Sequence, residues 1–212
     1  MGTGAGGYFK ELLEILREKQ PQATIGLMLP HSLWSQHERN AECSAYERWK
    51  LMAESTMCCC EDNDIQFIIP YGTAVQNIRN TSWNDEFDLT RDGSHCGYGL
   101  CQYVASCCFY ESLIAPRTGI SVLGNTLRYD ASTKTRGISV TDDNAILAQE
   151  AAIMAVKNPY QLSDLSAGIS YLQMQELQDH SIYSLSGIPI PLSMSEKRHF
   201  YIDGKLHKVF VR

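Results

Sequence analysis

The sequence predicts an α/β protein built on parallel strands, and three observations carry that prediction. An amphipathic helix opens the chain, and two short apolar runs, each ended by proline, follow with a helical segment between them. The resulting order of helix, strand, helix, strand, helix is the signature of βαβ units. With 212 residues, 44% of them hydrophobic and 20% charged, the chain can bury one core and carry an appendage.

The first helix is read from Tyr8, Phe9, Leu12, Leu13, Ile15 and Leu16, which recur at helical spacing. Glu11, Glu14, Arg17, Glu18 and Lys19 fill the opposite face, and Pro21 marks the stop. Residues Thr24 to Leu29 read as a buried strand ended by Pro30, and Ile65 to Ile69 as a second ended by Pro70. Tyr46, Trp49, Met52 and Ala53 mark the helix between them. Leu100, Val104, Cys108 and Leu113 place another helix at about Gly97 to Leu113. One more is expected from about Asp142 to Lys157, with Thr141 as cap, an acidic first turn and Asn158-Pro159 as stop. Residues 116–137 form a longer surface connection. From about Ser163 the pattern turns to period 2: residues 181–187 and 200–212 look like strands, with Asp203-Gly204 as a two-residue hairpin turn. The expected organisation is an α/β domain over 1–160, then a linker and small β-hairpin tail over 161–212.

A net charge of −6 with no basic stripe argues against nucleic acid as a partner. No apolar run reaches the length of a membrane span, and the N-terminus lacks the pattern of a signal peptide. Of eight cysteines, Cys58 to Cys60 are consecutive and Cys107 and Cys108 adjacent. No pair has C-x-x-C spacing, so no metal is expected. The cysteines read as reduced structural thiols, Cys96 and Cys101 among them as small apolar residues of the helix, with a redox or metal role for the Cys58 to Cys60 cluster as the alternative. The glycines at 2, 4 and 7 have no strand before them, so no nucleotide cofactor is expected.

Chemistry is signalled by Asp92-Gly93-Ser94-His95. A histidine acts as general base only when an acceptor holds one ring nitrogen and leaves the other free, and a carboxylate three residues away on a tight loop supplies that acceptor. The bland alternative is an Asx-turn beside an ordinary surface histidine. In parallel sheets the site lies beyond the C-terminal strand ends. His31 and Tyr71 follow the two strands there and are the candidate substrate-binding residues. Ser32 lacks a nucleophile motif around it and reads as a loop serine. Ser94 is too close in sequence to face Nε2 of His95.

Ile68 to Thr81 (IIPYGTAVQNIRNT), Leu89 to His95 (LTRDGSH) and Tyr98-Gly99 together resemble the C-terminal half of an SGNH (GDSL-like) hydrolase domain, over roughly two-thirds of the chain. That resemblance implies a flavodoxin-like three-layer α/β/α sandwich, here incomplete at its N-terminus, with the short C-terminal β appendage added. It also implies that Asp92 and His95 are the two supporting members of a Ser-His-Asp triad. The implied activity is hydrolysis of an acyl or acetyl ester, plausibly on carbohydrate. The family's Gly-Asp-Ser-like nucleophile block is not visible, so an N-terminally truncated product, inactive or weakly active alone, is expected. Leu185-Ser186-Gly187 and Asp203-Gly204-Lys205 resemble the β tails of proteins exported by type IX secretion, which implies an exported parent protein. The competing function is a non-catalytic envelope module that binds glycan or protein, with Trp34, Trp83 and Tyr98 as stacking surfaces.

Overall fold

The structure is a computed structural model. It describes residues 7–40, 43–65 and 67–165, and beyond them the backbone of four short strands. The protein is a mixed α/β structure with a small parallel sheet and a majority of helices.

Helix α1 spans Tyr8–Lys19, strand β1 Gly26–Met28, helix α2 Ala45–Asp62 and strand β2 Phe67–Ile69. The strands pair in parallel with Leu27 opposite Ile68, so α2 is the crossover of one βαβ unit. Both strands are shorter than the apolar runs that predicted them, because Pro30 and Pro70 end the ladder at one end. Ser44 fixes the start of α2: its Oγ accepts from the Glu47 amide at 3.1 Å, and Glu47 Oε2 accepts from the Ser44 amide at 2.9 Å.

Side chains alternate across a strand, so neighbouring residues of β2 serve different helices. Ile68 joins Leu29 beside Trp49 and Ala53 of α2, whereas Ile69 packs against the main core. Leu13 of α1 buries with Cys60 and Ile65, against Ile25 and Leu27. Tyr8, Leu12 and Ile15 on the outer side of α1 stay exposed.

The main core is helical. Helix α3, Tyr71–Arg79, follows β2 directly and is buried from Gly72 to Arg79. It packs with α4, Leu100–Leu113, and α6, Asp142–Lys157. Ala148, Ala151 and Ala152 of α6 let the helices approach closely around Val75, Ile78 and Val104. The short helix α5, Ala115–Thr118, lies in the segment expected to be loop. Helix α6 has the predicted bounds, and the Thr141 amide donates to Asn144 Oδ1 at 3.0 Å where it begins.

Three expectations need correction. The helix expected from Gly97 begins at Leu100, because Gly99 sits at φ 75 and cannot be a helical residue. Cys96 therefore lies outside the helix and forms a disulfide with Cys101, so these two cysteines are not reduced; Cys43, Cys58, Cys59, Cys60, Cys107 and Cys108 are free. In the tail, β3 (Ile182–Tyr183), β4 (Pro189–Ile190), β5 (Phe200–Asp203) and β6 (Lys208–Phe210) form an antiparallel sheet in the order β4-β3-β5-β6. Ile202 pairs with Lys208 and Asp203 with Ile182, so Asp203 is a strand residue, while Gly204 and Lys205 lie outside the described residues. The Leu185-Ser186-Gly187 part of the tail resemblance lies outside the described residues.

Gly99 tests the local geometry. A Cβ there would stand 1.9 Å from the Ile138 carbonyl oxygen, in a backbone region that L residues rarely adopt. Gly99→Ala is expected to destabilise the fold by about 2–3 kcal/mol, read as a lowered urea midpoint.

Candidate active site

The segments after β1 and β2 meet over α3. The Gly72 amide donates to the Leu29 carbonyl at 2.8 Å, and a Cβ at Gly72 would stand 2.0 Å from the Pro30 oxygen, so only glycine fits. This close approach sets His31 beside Tyr71. His31 Nδ1 lies 3.1 Å from the Tyr71 hydroxyl and Nε2 lies 3.0 Å from the Ser94 carbonyl. A carbonyl only accepts, so Nε2 carries the proton and Nδ1 accepts from Tyr71. Burial, helped by Arg79, lowers the His31 pKa from 6.5 to about 4. His31 is therefore neutral at pH 7, and both of its nitrogens are spent on protein partners. Its place is beneath the Asp92 loop, holding the peptide before His95.

That loop is a small hairpin. Thr90 and Cys96 form an antiparallel bridge, the Arg91 amide donates to the His95 carbonyl at 2.9 Å, and the Gly97 amide donates to the Leu89 carbonyl at 2.8 Å. Gly93 turns the chain at φ 86, where its amide donates to Thr90 Oγ1. The Cys96–Cys101 disulfide ties the hairpin's return arm to the first turn of α4.

Asp92 and His95 form the expected pair. His95 Nδ1 is 2.8 Å from Asp92 Oδ2, while Asp92 Oδ1 accepts the amides of His95 at 2.8 Å and Ser94 at 3.0 Å. The His95 amide above all, then the Ser94 amide and the His95 ring, hold the Asp92 carboxyl below the usual carboxylate range. An ionised carboxylate at Nδ1 selects the Nδ1–H tautomer and leaves Nε2 free on an exposed edge. The Asx-turn and the dyad thus coexist: one oxygen makes the turn and the other orients the imidazole.

No serine, threonine or cysteine among the described residues hydrogen-bonds His95 Nε2. Ser32 is buried, and its Oγ accepts from Arg79 Nη1 at 2.5 Å. Ser94 Oγ meets His37 Nε2 at 3.1 Å, but His37 Nδ1 accepts the Arg39 amide. Nε2 of His37 is then the donor, so His37 cannot deprotonate Ser94. No group of three or more His, Cys, Asp or Glu among the described residues is placed to hold a metal. None of the helices described is long and apolar enough to cross a membrane.

Arg79 was not singled out by the sequence as a site residue. It is buried at the end of α3, with Nη2 3.0 Å from the Ser32 carbonyl and Nε 2.8 Å from the Asp88 carbonyl. One guanidinium thus joins the His31 segment to the stretch leading into Asp92. Burial lowers its pKa to about 10, opposed by Asp88 and Asp85, so it stays charged. In sequence it reads as an ordinary cation in the last turn of a helix, and nothing local reports its burial.

The lowered His31 pKa makes an acid-limb prediction. The unfolded chain protonates this ring at about 6.5 and the folded one at about 4, so folding stability is complete above 6.5 and is lost as pH falls towards 4. The loss attributable to His31 is roughly 3 kcal/mol. Urea unfolding from pH 7 to 4 should show this slope in the native protein and a shallower one in His31→Gln. Equal slopes would exclude a proton-linked role for His31.

Residues 28–152 match the profile of DUF4886, a domain of unknown function, and the chain belongs to this family. Its structure is similar to the crystal structure of a DUF4886 family protein from Bacteroides uniformis ATCC 8492, with a TM-score of 0.61 and 20% sequence identity. The similarity covers 75% of this chain and 58% of that one, so the chain spans little more than half of its neighbour's length. At that identity the likeness concerns the fold. No curated protein matches the chain.

Proposed function

We propose that this chain carries the His-Asp arm of an SGNH-type serine ester hydrolase, acting on acyl or acetyl esters such as those of carbohydrate. The observation that carries the reading is Asp92 Oδ2 at 2.8 Å from His95 Nδ1 with Nε2 left free. In the complete site, His95 takes the proton of a serine hydroxyl as it attacks the ester carbonyl, then returns it to the leaving alcohol. Asp92 stabilises the imidazolium between the two steps. The serine and the oxyanion donors belong to the remainder of a flavodoxin-like three-layer sandwich. The βαβ unit, with helices packed on β1 and β2, supports that architecture. Export of the parent protein is part of the same reading, and the Cys96–Cys101 disulfide supports it, since such bonds persist in oxidising compartments.

The experiment is hydrolysis of p-nitrophenyl acetate by the purified chain and by His95→Ala. Weak turnover that disappears in the variant is expected, because an exposed, oriented imidazole attacks an activated ester slowly without help from serine. Robust turnover lost in His95→Ala would mean that a nucleophile is present and was overlooked. Equal turnover above the buffer background in the two proteins would overturn the reading, since His95 would then not be the group that acts on the ester.

A further inference from the structure

We propose that the surface beside His95 is an anion-recognition face, so that the ester this site takes carries a negative charge of its own, a carboxylate or a sulfate. The proposal rests on the Asp92-His95 reading for its function but on separate residues for its geometry.

Arg91 is the first of them. Thr90 and Cys96 form a bridge in the hairpin, so the next facing pair is Arg91 and His95. Facing residues of an antiparallel pair project to the same side with Cβ atoms about 5 Å apart. Thr90 is fully buried, so the alternation along the strand turns Arg91 and His95 outward together. The Arg91 guanidinium rests on Tyr98, 5.1 Å from the ring centroid, and Lys134 Nζ reaches the same ring at 6.0 Å. Arg136 lies on Phe87 at 3.5 Å. The backbone of Arg136 abuts Gly97, two residues from His95, since a Cβ on Gly97 would stand 3.4 Å from its oxygen.

Arg91 thus stands beside the dyad, while Lys134 and Arg136 lie on the rings of Tyr98 and Phe87. The ion pairs among the described residues are Lys19–Glu18, His95–Asp92 and Arg128–Asp142, and none includes Arg91, Lys134 or Arg136. The nearby acids are otherwise engaged: Asp85 accepts the amides of Phe87 and Leu89, and Asp88 accepts the Ser35 amide and the Asn84 side chain. In a chain with net charge −6, Arg91 is a cation turned to the same side as His95 and held in no ion pair among the described residues. A guanidinium resting on an aromatic face is partly ordered before a ligand arrives, and its free edge matches an oxyanion in a fork geometry. Tyr98 already carries Arg91 on its ring, so it serves as the platform for a cation rather than as a stacking surface for a sugar.

The test uses the full chain and two esters that differ in charge, monomethyl succinate and dimethyl succinate, with inorganic sulfate as a further arm. Binding is followed by NMR through the Arg side-chain Nε–H and Tyr98 resonances, independently of hydrolysis. Monomethyl succinate is expected to bind at least about tenfold more tightly than the diester and to lose about tenfold in Arg91→Ala. Arg136→Ala should weaken it similarly, Lys157→Ala should not, and added salt should weaken it in the native protein. Sulfate competing with the monoester would extend the face to both oxyanions; sulfate without effect would restrict it to carboxylates. Equal affinity for the two esters, or affinity unchanged in Arg91→Ala and Arg136→Ala, overturns the proposal. Selective binding of the monoester together with p-nitrophenyl acetate turnover that is unchanged in His95→Ala would overturn the catalytic reading and leave the anion face standing.

Discussion

Asp92→Asn is expected to leave the fold intact and to switch off His95 by reversing its tautomer. The native carboxylate gives one oxygen to two backbone amides and the other to the imidazole. Asparagine has only one oxygen. If that oxygen stays with the amides of Ser94 and His95, the new NH2 group faces Nδ1 and donates to it. The proton then moves to Nε2, where the base is needed, and the ring becomes a donor towards any nucleophile. If the amide flips, two backbone donors confront an NH2 group, which is the costlier arrangement. In complete triads the same exchange lowers kcat by about 10⁴-fold, a ceiling for this exposed pair. Long-range ¹H–¹⁵N spectra at neutral pH read the tautomer directly. A His95 ring that remains Nδ1–H in Asp92→Asn would show that the carboxylate does not orient it.

What the sequence disclosed and what it hid divide along physical lines. Helices α1 and α6 were legible because their signals are local: apolar spacing, an acidic first turn, and proline after the end. The Asp92-His95 pair was legible because four residues on a glycine turn suffice to build it. Helix α3 was not delimited, since it starts directly after Pro70 and is buried on nearly every side, which removes the polar face that periodicity detects. The Cys96–Cys101 bond was missed because it depends on Gly99 delaying the helix to Leu100, which brings the two Cα atoms to 5.8 Å. His31 and Tyr71 follow the two strands, as their sequence positions suggest, and there they hydrogen-bond each other while His31 also holds the Ser94 carbonyl. Arg91 lay in full view beside Asp92, but only the pairing of Thr90 with Cys96 reveals that it faces His95.

Arg79→Ala is expected to be the most damaging single change to stability, at about 3–5 kcal/mol. Arg79 is 6% exposed, and its guanidinium donates to Ser32 Oγ, the Ser32 carbonyl, the Asp88 carbonyl and Gln76 Oε1. Truncation leaves those acceptors without a donor in a place water reaches poorly, and an unpaired buried polar group costs about 1–3 kcal/mol. It also empties the volume of a long side chain at the end of α3. Asp88 makes the loss sharper. It sits at φ 50 and is followed by Leu89 at φ 57, a pair of left-handed residues whose cost of about 1–3 kcal/mol each is tolerated only while the surroundings hold them. The Arg79 bond to the Asp88 carbonyl is one of those restraints. Arg79→Lys should recover little, because a single ammonium cannot span the Ser32 and Asp88 carbonyls that the planar fork reaches together. Urea unfolding is the measurement. Midpoints for both variants close to the native value would mean that the guanidinium is not what joins the His31 segment to the Asp92 hairpin. A large loss in Arg79→Ala with near-complete recovery in Arg79→Lys would assign the effect to charge alone.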